Sequence, residues 1–152
     1  MPDVLFVCSG NTCRSPMAAA LFNDLCSRRG LPYRAESAGL YARDGSPASD
    51  GAFYAMKERG LDLSRHVSQQ VSSRLAGEAG LVVTMGESYA SLVRERCPWA
   101  RVMAFQPPVH DPFGGSLAEY RATADDLLSR MDWVLRRIGE ARPAGDGAPA
   151  AR

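Results

Sequence analysis

The sequence has no uninterrupted apolar run near the ~18 residues that a membrane-spanning helix requires. Its start, Met1-Pro2-Asp3-Val4, has no basic stretch leading into an apolar core, so no signal peptide is expected. An excess of one charge is also missing: 18 Lys plus Arg stand against 17 Asp plus Glu, a net charge of +1. That balance gives no global electrostatic case for nucleic acid or an anionic membrane as a partner. Histidine is scarce, and the two present, His66 and His110, have no ligand spacing around them, so neither a metal nor a cofactor is expected. Cysteine is limited to four residues. In a cytoplasmic protein, the expected location, they stay mostly reduced. A chain of 152 residues needs no disulfide staple, since folding at this size buries roughly 70% of the unfolded surface.

What is present is the composition of one globular domain, with 45% hydrophobic and 23% charged residues. Val4-Leu5-Phe6-Val7 is a continuous apolar run, the pattern of a strand buried on both faces of a parallel sheet. A polar loop from Cys8 to Ser15 follows. Ser15 as N-cap and Pro16 at the first helical position then predict a helix that Gly30 closes. Further strands are predicted at Tyr33 to Ser37, Leu81 to Met85 and Val102 to Phe105. Helices are predicted from Ser46-Pro47 to about Arg59, from Ser68 to Leu75 and from Glu87 to Arg96. After a Pro-rich loop, 106–115, one long helix is predicted from Ser116. Its single apolar stripe runs through Leu117, Tyr120, Ala124, Leu127, Leu128, Met131, Val134, Leu135 and Ile138. The domain is taken as 1–140, with a flexible tail at 141–152 rich in Ala, Pro, Gly and Arg. Strands alternating with helices predict one α/β domain, a four-stranded parallel sheet with helices on both faces. Ligands bind such sheets beyond the carboxyl ends of the strands, where the loop from Cys8 lies.

That loop, Cys8-Ser9-Gly10-Asn11-Thr12-Cys13-Arg14-Ser15-Pro16, is neither a Walker A loop nor a dinucleotide fingerprint. A tight turn from a strand into a helix N-terminus gathers successive N–H groups into a concavity, and the helix dipole adds positive potential. Ser9, Gly10, Asn11, Thr12, Cys13, Arg14 and Ser15 are therefore candidate oxyanion-binding residues. Gly10 and Asn11 are residue types that tolerate a left-handed backbone. The guanidinium of Arg14 can grip two phosphoryl oxygens. Cys8, at the start of this concavity, is expected to favour the thiolate and to act as nucleophile without a histidine base. Ser15 can hydrogen-bond the sulfur. Asp111, in His110-Asp111-Pro112-Phe113-Gly114-Gly115, follows the fourth strand on the same sheet edge and is the candidate general acid and base.

Cys8 through Pro16, followed by Met17-Ala18 and joined to the distant Asp111-Pro112, resembles the signature of the low-molecular-weight protein tyrosine phosphatase family. The resemblance implies a flavodoxin-like fold, no metal and hydrolysis through a phosphocysteine on Cys8. It implies Arg14 as phosphate clamp, Asp111 as general acid, and Asn11, Ser15, Ser37 and His66 as the polar set that shapes the loop. Within the family, Thr12 in place of a bulkier aliphatic residue, and Phe113 followed by Gly114 rather than a second aromatic, look like a subgroup that hydrolyses phosphoarginine in proteins. A flat, charged guanidinium suits a small polar wall with a carboxylate nearby, whereas a phosphotyrosine ring gains from aromatic walls. Phosphorylated proteins are the implied partners, with phosphoarginine favoured, phosphotyrosine as the alternative and a monomer as the expected state.

Other readings remain at this point. An arsenate reductase on this scaffold needs relay cysteines, and residues 80–90 hold none. A phosphate-binding module without catalysis needs no nucleophile. Cys13 is either a partner for a reversible disulfide with Cys8 or a small loop filler. Cys26 and Cys97 read as packing residues. Tyr41 reads as a wall of the pocket mouth or a plain exposed aromatic, and Tyr120 as a packing tyrosine rather than a phosphorylation site.

Overall fold

A computed structural model describes residues 1–141; the expected flexible tail lies outside the described residues apart from its first residue, Ala141, which ends the last helix. Four strands, β1 (Val4–Cys8), β2 (Ala35–Gly39), β3 (Leu81–Thr84) and β4 (Val102–Ala104), form one parallel sheet in the order β2-β1-β3-β4. The six helices among the described residues are α1 (Arg14–Arg29), α2 (Asp50–Lys57), α3 (Ser73–Glu78), α4 (Glu87–Arg96), α5 (Leu117–Ser129) and α6 (Met131–Ala141). The expected single α/β domain is what forms. The chain leaves β1 to one side and returns on the other as β3, so the carboxyl ends of β1 and β3 mark the crevice where doubly wound sheets take ligands.

Alternation along β1 builds a core on each face of the sheet. Val4, Phe6 and Cys8 face a cluster with Met17, Phe22, Leu127, Met131 and Ile138, under α1, α2, α5 and α6. Leu5 and Val7 face a smaller cluster with Ala76, Val93 and Cys97, under α3 and α4. Phe6 meets Phe22 edge-on at 5.9 Å and stacks with Phe105 at 6.4 Å, anchoring β1 from both flanks.

Several boundaries differ from the sequence reading, each because tertiary pairing outranks local signals. Strand β2 is shifted to Ala35–Gly39 because its register with β1 sets Gly39 opposite Cys8. Helix α2 starts after Ser49, whose hydroxyl accepts from Ala52 N; residues 46–49 instead pair with Ser68 through Ser46. The segment from Ser68 is not helical: Gly39 takes Gln69 O and Val71 N as backbone partners and draws it alongside β2, so α3 begins only after Ser72. The last helix breaks at Arg130. Helix α5 packs on α1 and α2 while α6 packs on β3, and one straight helix cannot do both. Leu128 is consequently exposed rather than part of a continuous stripe. Helix α1 starts at Arg14, one residue before the expected cap, and Cys13 at its N-cap makes no side-chain capping bond. Gly30, left-handed at φ 68°, closes it as expected.

Candidate active site

The loop between β1 and α1 is a concavity made by tying most of its carbonyls outward. Cys8 O accepts from Leu40 N (3.0 Å), Ser9 O from Tyr41 N (2.9 Å), Thr12 O from Ser49 N (2.9 Å) and Cys13 O from Met17 N (3.2 Å). His66 Nε2 donates to Asn11 O at 2.8 Å, which fixes the proton on that nitrogen. Among the described residues, the N–H groups of Ser9, Gly10, Asn11, Thr12 and Cys13 have no acceptor within the protein. Carbonyls bound outward and amides left free make an anion nest at a helix N-terminus.

Asn11 is the pin of this arrangement. It is fully buried and left-handed, with φ 58°. Its Nδ2 donates to Ser15 Oγ at 2.8 Å and to Ser37 Oγ at 2.9 Å, and its Oδ1 accepts from Gln69 N at 2.9 Å. Gly10, the other residue expected to be left-handed, is not among the residues with positive φ. Ser15 has no part in capping because its hydroxyl is committed to the loop. It accepts from Asn11, and its own hydrogen lies between Cys8 Sγ at 2.9 Å and Ala38 O at 3.4 Å. The shorter contact is to sulfur, so Ser15 is placed to donate to a sulfur anion.

Arg14 is buried, and its guanidinium is held on two sides. Nη1 donates to Val109 O at 3.1 Å, and Nη2 donates to Tyr89 Oη at 3.1 Å, with the Tyr89 ring 5.4 Å from the guanidinium carbon. Asp111 Oδ2 lies 3.6 Å from Nη2. Asp111 itself is about half exposed, and its Oδ1 accepts from Phe113 N at 3.1 Å. Together Cys8, Ser9, Gly10, Thr12, Cys13, Arg14, Asp111 and Phe113 line a cleft of about 220 Å³. The structure thus brings Asp111 and Phe113 to the Cys8 loop, and Ser37 and His66 to its rear.

Cys13 is buried beside the cleft, its sulfur 3.2 Å from Ser49 Oγ and 3.3 Å from Tyr120 Oη. Tyr120 is buried, which agrees with a packing role; burial and the contact with Cys13 push its hydroxyl up to about 12. All four cysteines are free. Burial, helped by Asp3, pushes the Cys26 thiol up to about 11. Tyr41 is exposed, with Arg96 over its ring, and is not among the residues lining the cleft.

Three contributors escaped the sequence. Gln69 braces Asn11 and also donates to Ser37 O at 2.9 Å. Gly39 leaves the room in which the loop sits: a Cβ there would lie 2.5 Å from Ser9 O and 2.9 Å from Asn11 N. Tyr89 holds the arginine. None carries a local signal, since each acts from a segment distant in sequence.

A cysteine beneath an anion nest, an arginine fork and a carboxylate at the switch point of a parallel sheet define a cysteine-dependent phosphatase. The chain belongs to the low molecular weight phosphotyrosine protein phosphatase family, which matches residues 3–144. It is 37% identical to a protein-arginine-phosphatase of Bacillus subtilis (strain 168), over 92% of this chain and 99% of the relative. It is 40% identical to a probable low molecular weight protein-tyrosine-phosphatase, EpsP, of Ralstonia solanacearum, over 88% and 94%. Among solved structures it superposes on the YwlE arginine phosphatase, in a variant with a phosphorylated active-site serine in place of cysteine. That match has a TM-score of 0.84 at 32% identity and covers 91% of this chain and 97% of the other. No helix among the described residues is long and apolar enough to cross a membrane.

Proposed function

We propose that the chain removes phosphate from phosphoarginine in proteins, with phosphotyrosine as the alternative substrate, and that it works as a cytoplasmic monomer. The observation that carries the preference is the wall of the cleft: Thr12, small and polar, faces the same space as the Asp111 carboxylate, and among the described residues Phe113 is the single aromatic side chain lining it. A guanidinium is matched by a carboxylate acceptor and a hydroxyl, and gains less from ring stacking than a phenol does. The name borne by the Bacillus relative supports the same choice.

In this reading the phosphoryl group sits in the nest, its oxygens bound by the amides from Ser9 to Cys13 and by the free donors of Arg14. The Cys8 sulfur anion attacks phosphorus. An S–P bond forms, the P–N bond to the arginine side chain breaks, and Asp111 gives its proton to the departing nitrogen. Water then attacks phosphorus, Asp111 takes up a proton from it, and the S–P bond breaks to release inorganic phosphate. The Ser15 hydroxyl eases that second departure by donating to the sulfur as it regains its charge. Asn11, Ser37 and His66 keep the loop in shape.

The test is the ratio of kcat/KM on one protein carrying phosphoarginine or phosphotyrosine. Faster turnover of phosphoarginine supports the assignment, and the reverse ratio returns the chain to the tyrosine-directed members.

A further inference from the structure

We propose that Tyr89 is a positioning residue that holds the Arg14 guanidinium in its phosphate-gripping orientation and away from Asp111. The proposal rests on the reading of Arg14 as the phosphate clamp. It concerns a residue outside both the nucleophile loop and the acid loop.

Tyr89 stands in the first turn of α4, directly after β3. That junction is braced within itself once and locked to the acid loop twice. Val109 N donates to Met85 O at 2.8 Å, Thr84 Oγ1 donates to Gly86 O at 2.8 Å, and Gly86 lies so close to Pro108 that a Cβ would sit 3.2 Å from its ring. Tyr89 and Val109 therefore reach Arg14 from one rigid corner, the first through its hydroxyl and ring, the second through its carbonyl.

A guanidinium has five N–H donors in one plane. Val109 O and Tyr89 Oη take one each, from Nη1 and Nη2. With the ring of Tyr89 against it, the plane has one orientation, and the donors left over are those a phosphoryl group uses. Asp111 Oδ2, 3.6 Å from the same Nη2, is the competing acceptor. Without the Tyr89 hydroxyl, Asp111 is the one described group left to engage Nη2, and the fork closes on it. One lost hydroxyl then disturbs both the clamp and the proton donor.

Tyr89 also touches both hydrophobic clusters, so a truncation confounds packing with positioning. Tyr89→Phe keeps the ring and removes only the hydroxyl; Tyr89→Leu removes the ring as well. Inorganic phosphate, measured as a competitive inhibitor of p-nitrophenyl phosphate hydrolysis, reports the clamp apart from the proton donor. Tyr89→Phe is expected to weaken phosphate inhibition about ten-fold with an unchanged melting temperature, the scale of one lost hydrogen bond to a charged group. In an Arg14→Lys background the same change is expected to alter phosphate inhibition less than about two-fold, because a residue acting through Arg14 has nothing left to position. Unchanged phosphate inhibition in Tyr89→Phe overturns the proposal, as does an equal loss with and without Arg14. If Arg14→Lys alone leaves phosphate inhibition intact, the clamp reading fails and the proposal falls with it. If Arg14→Lys abolishes inhibition and Tyr89→Phe does not touch it, only the role of Tyr89 is lost.

Discussion

Arg14 Nη2 and Asp111 Oδ2 lie 3.6 Å apart, although one residue opens the first long helix and the other follows the last strand. In the proposed mechanism the pair joins the group that grips phosphate to the group that moves the proton. In that mechanism a phosphoryl oxygen entering the nest competes with Asp111 for the same guanidinium and leaves the carboxylate free for the leaving group. Asp111→Asn is therefore expected to slow substrates with poor leaving groups by roughly 10²–10⁴-fold and aryl phosphates with good leaving groups far less. The slope of log kcat against leaving-group basicity measures this. An equal loss across the series removes Asp111 from proton transfer.

Thr12 is the test of selectivity. In Thr12→Ile an aliphatic wall replaces the hydroxyl beside Asp111, and the ratio of phosphoarginine to phosphotyrosine turnover is expected to fall roughly 10-fold or more. Parallel kcat/KM measurements decide it; an unchanged ratio means that Thr12 does not read the substrate.

Asn11→Ala strips three side-chain bonds from the centre of the loop and leaves a non-glycine residue at φ 58°. A stability loss of about 1–3 kcal/mol is expected in urea unfolding, since Ser15, Ser37 and Gln69 lose a buried partner. Phosphate affinity should fall alongside it. A variant with normal phosphate binding would show that the nest keeps its shape without Asn11.

Alkaline stability has a defined sign. Burial pushes Cys26 to about 11 from an ordinary 9.0 and Tyr120 to about 12 from 10.0. Both stay neutral in the folded chain where the unfolded chain already ionises. Their stabilisation is whole below pH 9.0 and is lost as pH climbs toward 11 and 12. The urea midpoint is expected to drop over that window, and to drop less steeply in Cys26→Ala. Identical slopes in the two proteins contradict the burial argument.

Much of this site is written in local sequence. Val4 to Val7 reads as a buried strand because every residue in it is apolar, and the helix from Glu87 to Arg96 has the bounds predicted because Pro98 stops it nearby. Cys8, Arg14 and Ser15 are legible because the nest needs them within one short strand-to-helix loop. The register of β2 is not, since Gly39 is placed by Cys8 across the sheet. The break at Arg130 is hidden by an apolar stripe that continues through it; only the divergent surfaces under α5 and α6 require it. Tyr89 and Gln69 are silent for the same reason, because their partners are brought to them by the fold.

The central claim is that Cys8 carries the phosphoryl group between substrate and water. It is tested most directly by quenching Asp111→Asn in acid during turnover of an aryl phosphate and mapping phosphorylated peptides by mass spectrometry. A phosphoryl group on the Cys8 peptide, absent in Cys8→Ala, is the result expected. Undiminished phosphate release by Cys8→Ala, with no adduct at any time point in the Cys8 protein, contradicts the account.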